Sequence, residues 1–289
     1  MGTKKEIIDL IRTIKPEVIK SQKEEKRGWI IFGKLESFEI NGVKRTMRVY
    51  EGRKGGASYF DIHGGGFAWG SIEDGNFYCN ELANKLGINV FSLDYPLSPD
   101  NVYPSQIKYL EETIQYLVEH SVEYGFDSRC LIIGGRSAGA NLAAALCLRD
   151  IKRGNNSYKV QVLDHPWLDL ANIIPNNERY VWEKMPFFID TLANLRDVYV
   201  DEEDKFNFDV SPIVADKELL EKLPPTIIQT AESDCLRNDG DLYAELLKKA
   251  GVKVTHRTAL GAFHGFTEAQ ESISEDGRIW LIKSLGHYM

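Results

Sequence analysis

From residue 57 to residue 289, short β-branched runs alternate with longer stretches of helical period, and only a few architectures bury both. Residues 58–62, 88–94, 130–134, 159–163, 226–230 and 252–257 read as strands, with room for a crossover helix between all but the last adjacent pair. Such alternation predicts an α/β fold: a mostly parallel sheet with helices on both faces. Upstream, residues 34–40 and 46–50 flank Asn41-Gly42, a tight-hairpin signal that adds two antiparallel strands and brings the count to eight.

The helical stretches carry their own signature. Ile107, Leu110, Ile114, Leu117 and Val118 repeat at helical spacing after Pro104-Ser105, which places a helix there and marks the stripe as core. Two segments stand outside the alternation. Residues 1–28 place Ile7, Ile8, Ile11, Ile14 and Val18 on one side of a helix, with Pro16 near its end. Residues 175–205 carry Trp182, Met185, Phe187, Phe188, Leu192 and Leu195 without strand character. Both are expected to cap the sheet rather than extend it. With no Ser/Gly-rich linker, internal repeat or low-complexity tract, residues 1–289 are expected to form a single domain.

Composition narrows the function classes. A chain with 43% hydrophobic and 27% charged residues is not intrinsically disordered. Its net charge of -8 offers no overall attraction to phosphate backbones or anionic lipid, so no nucleic-acid partner is expected. No window approaches a membrane span and the N-terminus lacks a signal-peptide core, so a soluble, cytoplasmic protein is expected. Cys79, Cys130, Cys147 and Cys235 show neither C-x-x-C nor disulfide-framework spacing and are expected to be reduced thiols.

The sharpest local signal lies at residues 131–142, a buried strand that runs through Gly135-x-Ser137-x-Gly139 into an Ala-rich helix. In a nucleophile elbow, the strand-to-helix turn is so tight that the serine's neighbours must be nearly free of side chain. A tight turn with a capping serine is the plainer alternative. As a nucleophile Ser137 would need a base to take its proton and donors for the oxyanion formed when it attacks a carbonyl. The loop His63-Gly64-Gly65-Gly66-Phe67 follows a strand, and its glycines let backbone N–H groups approach a ligand closely.

Six histidines compete for the role of base. His120 and His287 fall in helical patterns, His256 within a strand, and His165 before Pro166-Trp167 in what reads as a packed turn. His63 is expected to hold the glycine loop by hydrogen bonds. His264 follows the last strand beside glycines that free it to point at the site, and it is the favoured base. The base needs an acid to fix its tautomer. Asp234, just past the strand at 226–230, is favoured; Glu232 and Asp239 are its rivals, and Glu232 could instead orient neighbouring backbone. The order Ser137, Asp234, His264 is that of α/β-hydrolases.

With these residues assembled, the chain resembles the hormone-sensitive-lipase-like branch of the α/β-hydrolases, soluble carboxylesterases that bear an H-G-G-G motif. The similarity runs from about residue 57 to residue 268. It includes His63–Phe67, Asp94-Tyr95-x-Leu97-Ser98-Pro99, Ser137-Ala138-Gly139, Ser211-Pro212, Leu223-Pro224-Pro225, Ala231-Glu232-x-Asp234-x-Leu236-Arg237 and His264-Gly265-Phe266. The resemblance implies an α/β-hydrolase fold with a helical cap and an acyl-serine mechanism without metal or organic cofactor. It implies Ser137 as nucleophile, His264 as proton shuttle and Asp234 as its orienter. Backbone N–H groups of Gly65, Gly66 and Ala138 would form the oxyanion hole. Small-molecule esters of short to medium acyl chains are the implied substrates; a homodimer is left open.

The sequence departs from the family's pattern at Arg136, where an Asp usually precedes the nucleophile, and at Ala140, where a second Gly is usual. Arg136 reads either as a neutral exchange, its guanidinium reaching solvent or a carboxylate, or as a charge that attracts anionic substrates. Two other functions stay in view: an arylformamidase or amidase on the same fold, and a non-catalytic ligand receptor.

Overall fold

The computed structural model describes residues 3–172 and 188–289. Eight strands form one sheet: β1 (Lys34–Ile40), β2 (Val43–Tyr50), β3 (Gly56–Ile62), β4 (Asn89–Leu93), β5 (Phe126–Arg136), β6 (Tyr158–Asp164), β7 (Thr226–Ser233) and β8 (Val254–Phe263). Their spatial order is β1-β2-β4-β3-β5-β6-β7-β8. β2 runs antiparallel to both β1 and β4, and every other neighbour pair is parallel. The Asn41-Gly42 turn joins β1 to β2, with both residues at positive φ.

The helices are α1 (Lys4–Glu25), α2 (Asn76–Leu86), α3 (Ser105–Glu119), α4 (Ala138–Lys152), α5 (Phe188–Tyr199), α6 (Lys217–Leu220), α7 (Arg237–Lys249) and α8 (Ser272–Gly286). Because side chains alternate along a strand, each central strand feeds two cores. Phe60, Phe91 and Ile133 join Ile107, Leu110 and Leu146 in the larger one. Tyr59, Val90 and Ile132 join Tyr78, Leu82 and Leu281 in the smaller. The stripe on α3 is buried at Ile107, Leu110, Ile114 and Leu117.

Three expectations shift. α7 fills the interval between β7 and β8, where no crossover was expected. β8 extends to Phe263 instead of ending at Arg257, because Thr258, Ala259 and Phe263 continue to pair with Thr230, Ala231 and Ser233 of β7. This strand is half-exposed at the sheet edge, so its sequence alternates too weakly to show its length. Finally, α1 passes through Pro16 and ends at Glu25. Proline removes one helical donor, and the surroundings hold the helix in compensation: Ile7 and Ile11 are buried, Lys15 Nζ donates to the Ser98 carbonyl (2.9 Å), and Arg12 pairs with Asp100 (3.1 Å). At the start of α1, the N-cap Thr3 and Glu6 of the first turn close a reciprocal capping box.

α1 packs on α5, and both contribute residues to the wall above the carboxyl ends of the central strands. Of the segment 175–205 expected to cap the sheet, residues 175–187, with Trp182, Met185 and Phe187, lie outside the described residues; Leu192 and Leu195 of α5 are buried. Among the described residues no helix is long and apolar enough to cross a membrane, and no cluster of three or more His, Cys, Asp or Glu could hold a metal ion. The four cysteines are free thiols, and only Cys130 is exposed.

Candidate active site

Ser137 sits at the break between β5 and α4 with φ 52° and ψ -118°, a conformation a non-glycine residue adopts only when its surroundings force it. Those surroundings are backbone. A Cβ on Gly139 would stand 2.2 Å from the Ile62 carbonyl oxygen and 2.3 Å from that of His63. Only glycine lets α4 start this close to the end of β3, and that approach turns the serine outward.

The three separated residues meet. His264 Nδ1 lies 2.8 Å from Asp234 Oδ2, and His264 Nε2 lies 2.9 Å from Ser137 Oγ. A carboxylate only accepts, so Nδ1 carries the proton and donates to Asp234, leaving Nε2 to accept from the serine hydroxyl. Asp234 is fully buried, and its Oδ1 accepts from the Leu236 amide (2.9 Å). The rivals are otherwise engaged: Glu232 Oε2 accepts from the Gly261 amide (2.7 Å), and Asp239 Oδ2 accepts from the amides of Leu168 and Asp169. His256 pairs with Asp241 (2.9 Å).

Three peptide groups around Ser137 are tied by their carbonyls. The Gly64 carbonyl is held by His63 Nδ1 (2.8 Å) and the Tyr95 hydroxyl (3.3 Å). The Gly65 carbonyl accepts from the amides of Ala68 and Trp69. That of Ser137 accepts from the amides of Ala140, Asn141 and Trp167. In a planar trans peptide the N–H points opposite to the C=O, so the N–H groups of Gly65, Gly66 and Ala138 are turned away from these anchors. Gly65 and Gly66 line the cavity at Ser137. Gly65 has φ 105°, and a Cβ there would stand 2.1 Å from the Trp69 carbonyl oxygen. His63 is buried and stacks on Tyr95 with ring centroids 4.2 Å apart, so it braces the loop.

The cavity measures about 230 Å³. Trp69, Trp167, Leu192 and Leu195 give it apolar wall; Asp74, His165 and Glu268 give it polar wall. Asp74 is buried and pairs with Lys26, just past α1; its carboxyl is pulled down by Lys26 and His63 against the opposing effect of burial. Sequence reasoning missed Asp74 and Glu268, which sit in no motif; Glu268 lies four residues beyond His264, the one signal that could have drawn attention to it. His165, read as a packed turn, is indeed buried, but it also faces the cavity edge-on to His264, with centroids 4.8 Å apart.

Arg136 does not reach the cavity. Its Nη1 and Nη2 donate to both oxygens of Asp61 at 2.8 and 3.0 Å, and its side chain is only 3% exposed. The anion-attracting alternative is thereby overturned, because the guanidinium is committed to a buried carboxylate beneath the elbow.

A family model described as an alpha/beta hydrolase fold matches residues 59–268. An arylesterase from Saccharolobus solfataricus is 31% identical over 241 residues, covering 81% of this chain and 74% of that protein. An esterase from Acinetobacter venetianus is 30% identical, covering 72% of this chain and 66% of that protein. The chain spans between 60% and 74% of the length of the first curated relatives it matches. Among solved structures, a hyperthermophilic esterase from the archaeon Pyrobaculum calidifontis superposes with a TM-score of 0.82 at 29% identity, covering 96% of this chain and 94% of that one.

Proposed function

The chain belongs to the hormone-sensitive-lipase-like α/β-hydrolases, and from that membership we propose that it is a serine carboxylesterase acting on short- to medium-chain acyl esters. The observation that carries the reading is the continuous relay from Ser137 Oγ through His264 to Asp234, with both links below 3 Å. Relatives named as esterases support the class of bond cleaved.

In the proposed reaction Ser137 Oγ attacks the ester carbonyl while His264 Nε2 takes its proton, and Asp234 stabilises the imidazolium. The negative oxygen is received by the N–H groups of Gly65, Gly66 and Ala138, each worth about 3–4 kcal/mol at the transition state. His264 then returns the proton to the departing alcohol, and water, activated by the same imidazole, releases the acid. A cavity of about 230 Å³, below the roughly 300 Å³ at which drug-sized ligand sites begin, favours short acyl arms.

Hydrolysis of p-nitrophenyl esters from acetate to decanoate tests this. The rate should be highest at short chains, and Ser137→Ala should lower kcat at least ~10³-fold. A Ser137→Ala enzyme with wild-type turnover would remove the proposal. N-formylkynurenine run alongside separates the formamidase alternative, which requires it to outpace the esters.

A further inference from the structure

A buried imidazole and a part-exposed carboxylate on the cavity wall keep hydrogen-bonding capacity that the fold does not use. The His165 side chain is fully buried; its Nδ1 stands 3.3 Å from Asp164 Oδ2, and its Nε2 makes no hydrogen bond among the described residues. The Asp164 oxygens already accept from Gln229 Nε2 and Thr267 Oγ1. Glu268 Oε1 has Arg136 Nε as its nearest cation at 3.6 Å, beyond a hydrogen bond, and both terminal nitrogens of that arginine are on Asp61. Both residues line the cavity that holds Ser137 and His264. Buried polar groups in folded proteins are nearly always paired, so an unpaired imidazole nitrogen on the same cavity as an uncommitted carboxylate points to a ligand group that pairs them. Asp74, the other carboxylate on the wall, is already engaged by Lys26 and by the amide and hydroxyl of Ser71.

The charges select the kind of group. A carboxylate in the substrate would face Glu268 and Asp74. An ammonium would face His165, whose affinity for protons, lowered by burial, is raised on balance by Asp164, and it would also meet the nearby Lys26. A hydroxyl avoids both conflicts, since it accepts from an imidazole N–H and donates to a carboxylate in the same position. We propose that His165 and Glu268 form a specificity subsite beside the nucleophile that receives a free hydroxyl on the substrate, so that preferred esters are hydroxylated within a few bonds of the scissile carbonyl. This inference rests on the esterase reading and deepens it.

Matched pairs test it in the wild-type enzyme: ethyl 3-hydroxybutyrate against ethyl 3-methylbutanoate for the acyl arm, and 2-hydroxyethyl butyrate against propyl butyrate for the alcohol arm. A hydrogen bond to a charged group corresponds to a preference of about 10- to 100-fold, so kcat/KM should favour the hydroxylated member of at least one pair by that factor. In His165→Phe and Glu268→Ala the ratio should fall toward 1, and in the isosteric Glu268→Gln it should fall several-fold. A wild-type ratio near 1 in both pairs overturns the subsite, as does a preference that survives the substitutions. In either case, continued hydrolysis of p-nitrophenyl esters leaves the esterase reading standing; hydrolysis of no ester at all removes both.

Discussion

Arg136 stands directly before Ser137 with its charge buried, and its consequence is one of stability. Asp61 accepts from the Ser92 hydroxyl (2.9 Å) and from both terminal nitrogens of the guanidinium, so removing the arginine leaves a carboxylate in a dry site without its counter-charge. Breaking a buried pair typically costs about 3–5 kcal/mol, whereas replacing both partners by apolar groups of similar volume is often near neutral. Arg136→Leu and Asp61→Leu should each lower the urea midpoint sharply, and the double variant should lose far less than their sum. Additive losses would show that the pair is not coupled. The substitution at Ala140 is easier to account for, because the residue is fully buried on the Ala-rich face of α4 and its single methyl packs in the larger core.

Among elements, the glycine loop depends on anchors that come from elsewhere in the sequence. Tyr95 follows β4, and its hydroxyl donates to the carbonyls of His63 and Gly64 at 3.1 and 3.3 Å. Tyr95→Phe keeps the stacked ring but leaves the peptide that aims the Gly65 N–H held by His63 Nδ1 alone. A neutral hydrogen bond contributes about 1 kcal/mol, so kcat should fall roughly 3- to 10-fold with KM little changed; steady-state kinetics on a p-nitrophenyl ester would show it, and a purely raised KM would contradict the anchoring role. The sequence already showed this loop, the elbow and the residues 234 and 264, because each needs glycine or a fixed offset from a strand end. Tyr95 appeared only as part of a resemblance. Its bond spans 31 residues in sequence, and no local pattern encodes it. The true end of β8 was hidden for the related reason that edge pairing leaves no alternation, and α1 outran Pro16 because tertiary contacts outweighed one missing donor.

At the scale of the whole molecule, the eight-stranded sheet was legible from periodicity, whereas the polar cavity wall was not, since Gln22, Asp74, His165 and Glu268 come from four different parts of the chain. The same burial that assembles this wall shapes the response of the fold to pH. Asp239 is buried beneath the segment that carries Trp167, and desolvation pushes its pKa up to about 8 against the two amides it accepts from. A carboxyl with a folded pKa above its unfolded value contributes stability fully below the unfolded value of about 4 and loses it as pH rises through the folded one. Stability should therefore decline between about pH 4 and 8, by at most about 1.4 kcal/mol per pH unit for one proton. Asp74 and Asp164 work in the opposite sense: their lowered pKa values give stability above about pH 4 that is lost on acidification. Urea midpoints from pH 5 to 8.5 should fall in the wild type and flatten in Asp239→Asn; equal slopes would exclude Asp239 as the source. The central claim, that His264 and Asp234 activate Ser137, is tested most directly by a fluorophosphonate probe followed by peptide mass spectrometry. The wild type should carry one adduct, on Ser137, and His264→Ala should react at least ~10³-fold more slowly; an adduct elsewhere, or labelling of His264→Ala at the wild-type rate, would contradict the account.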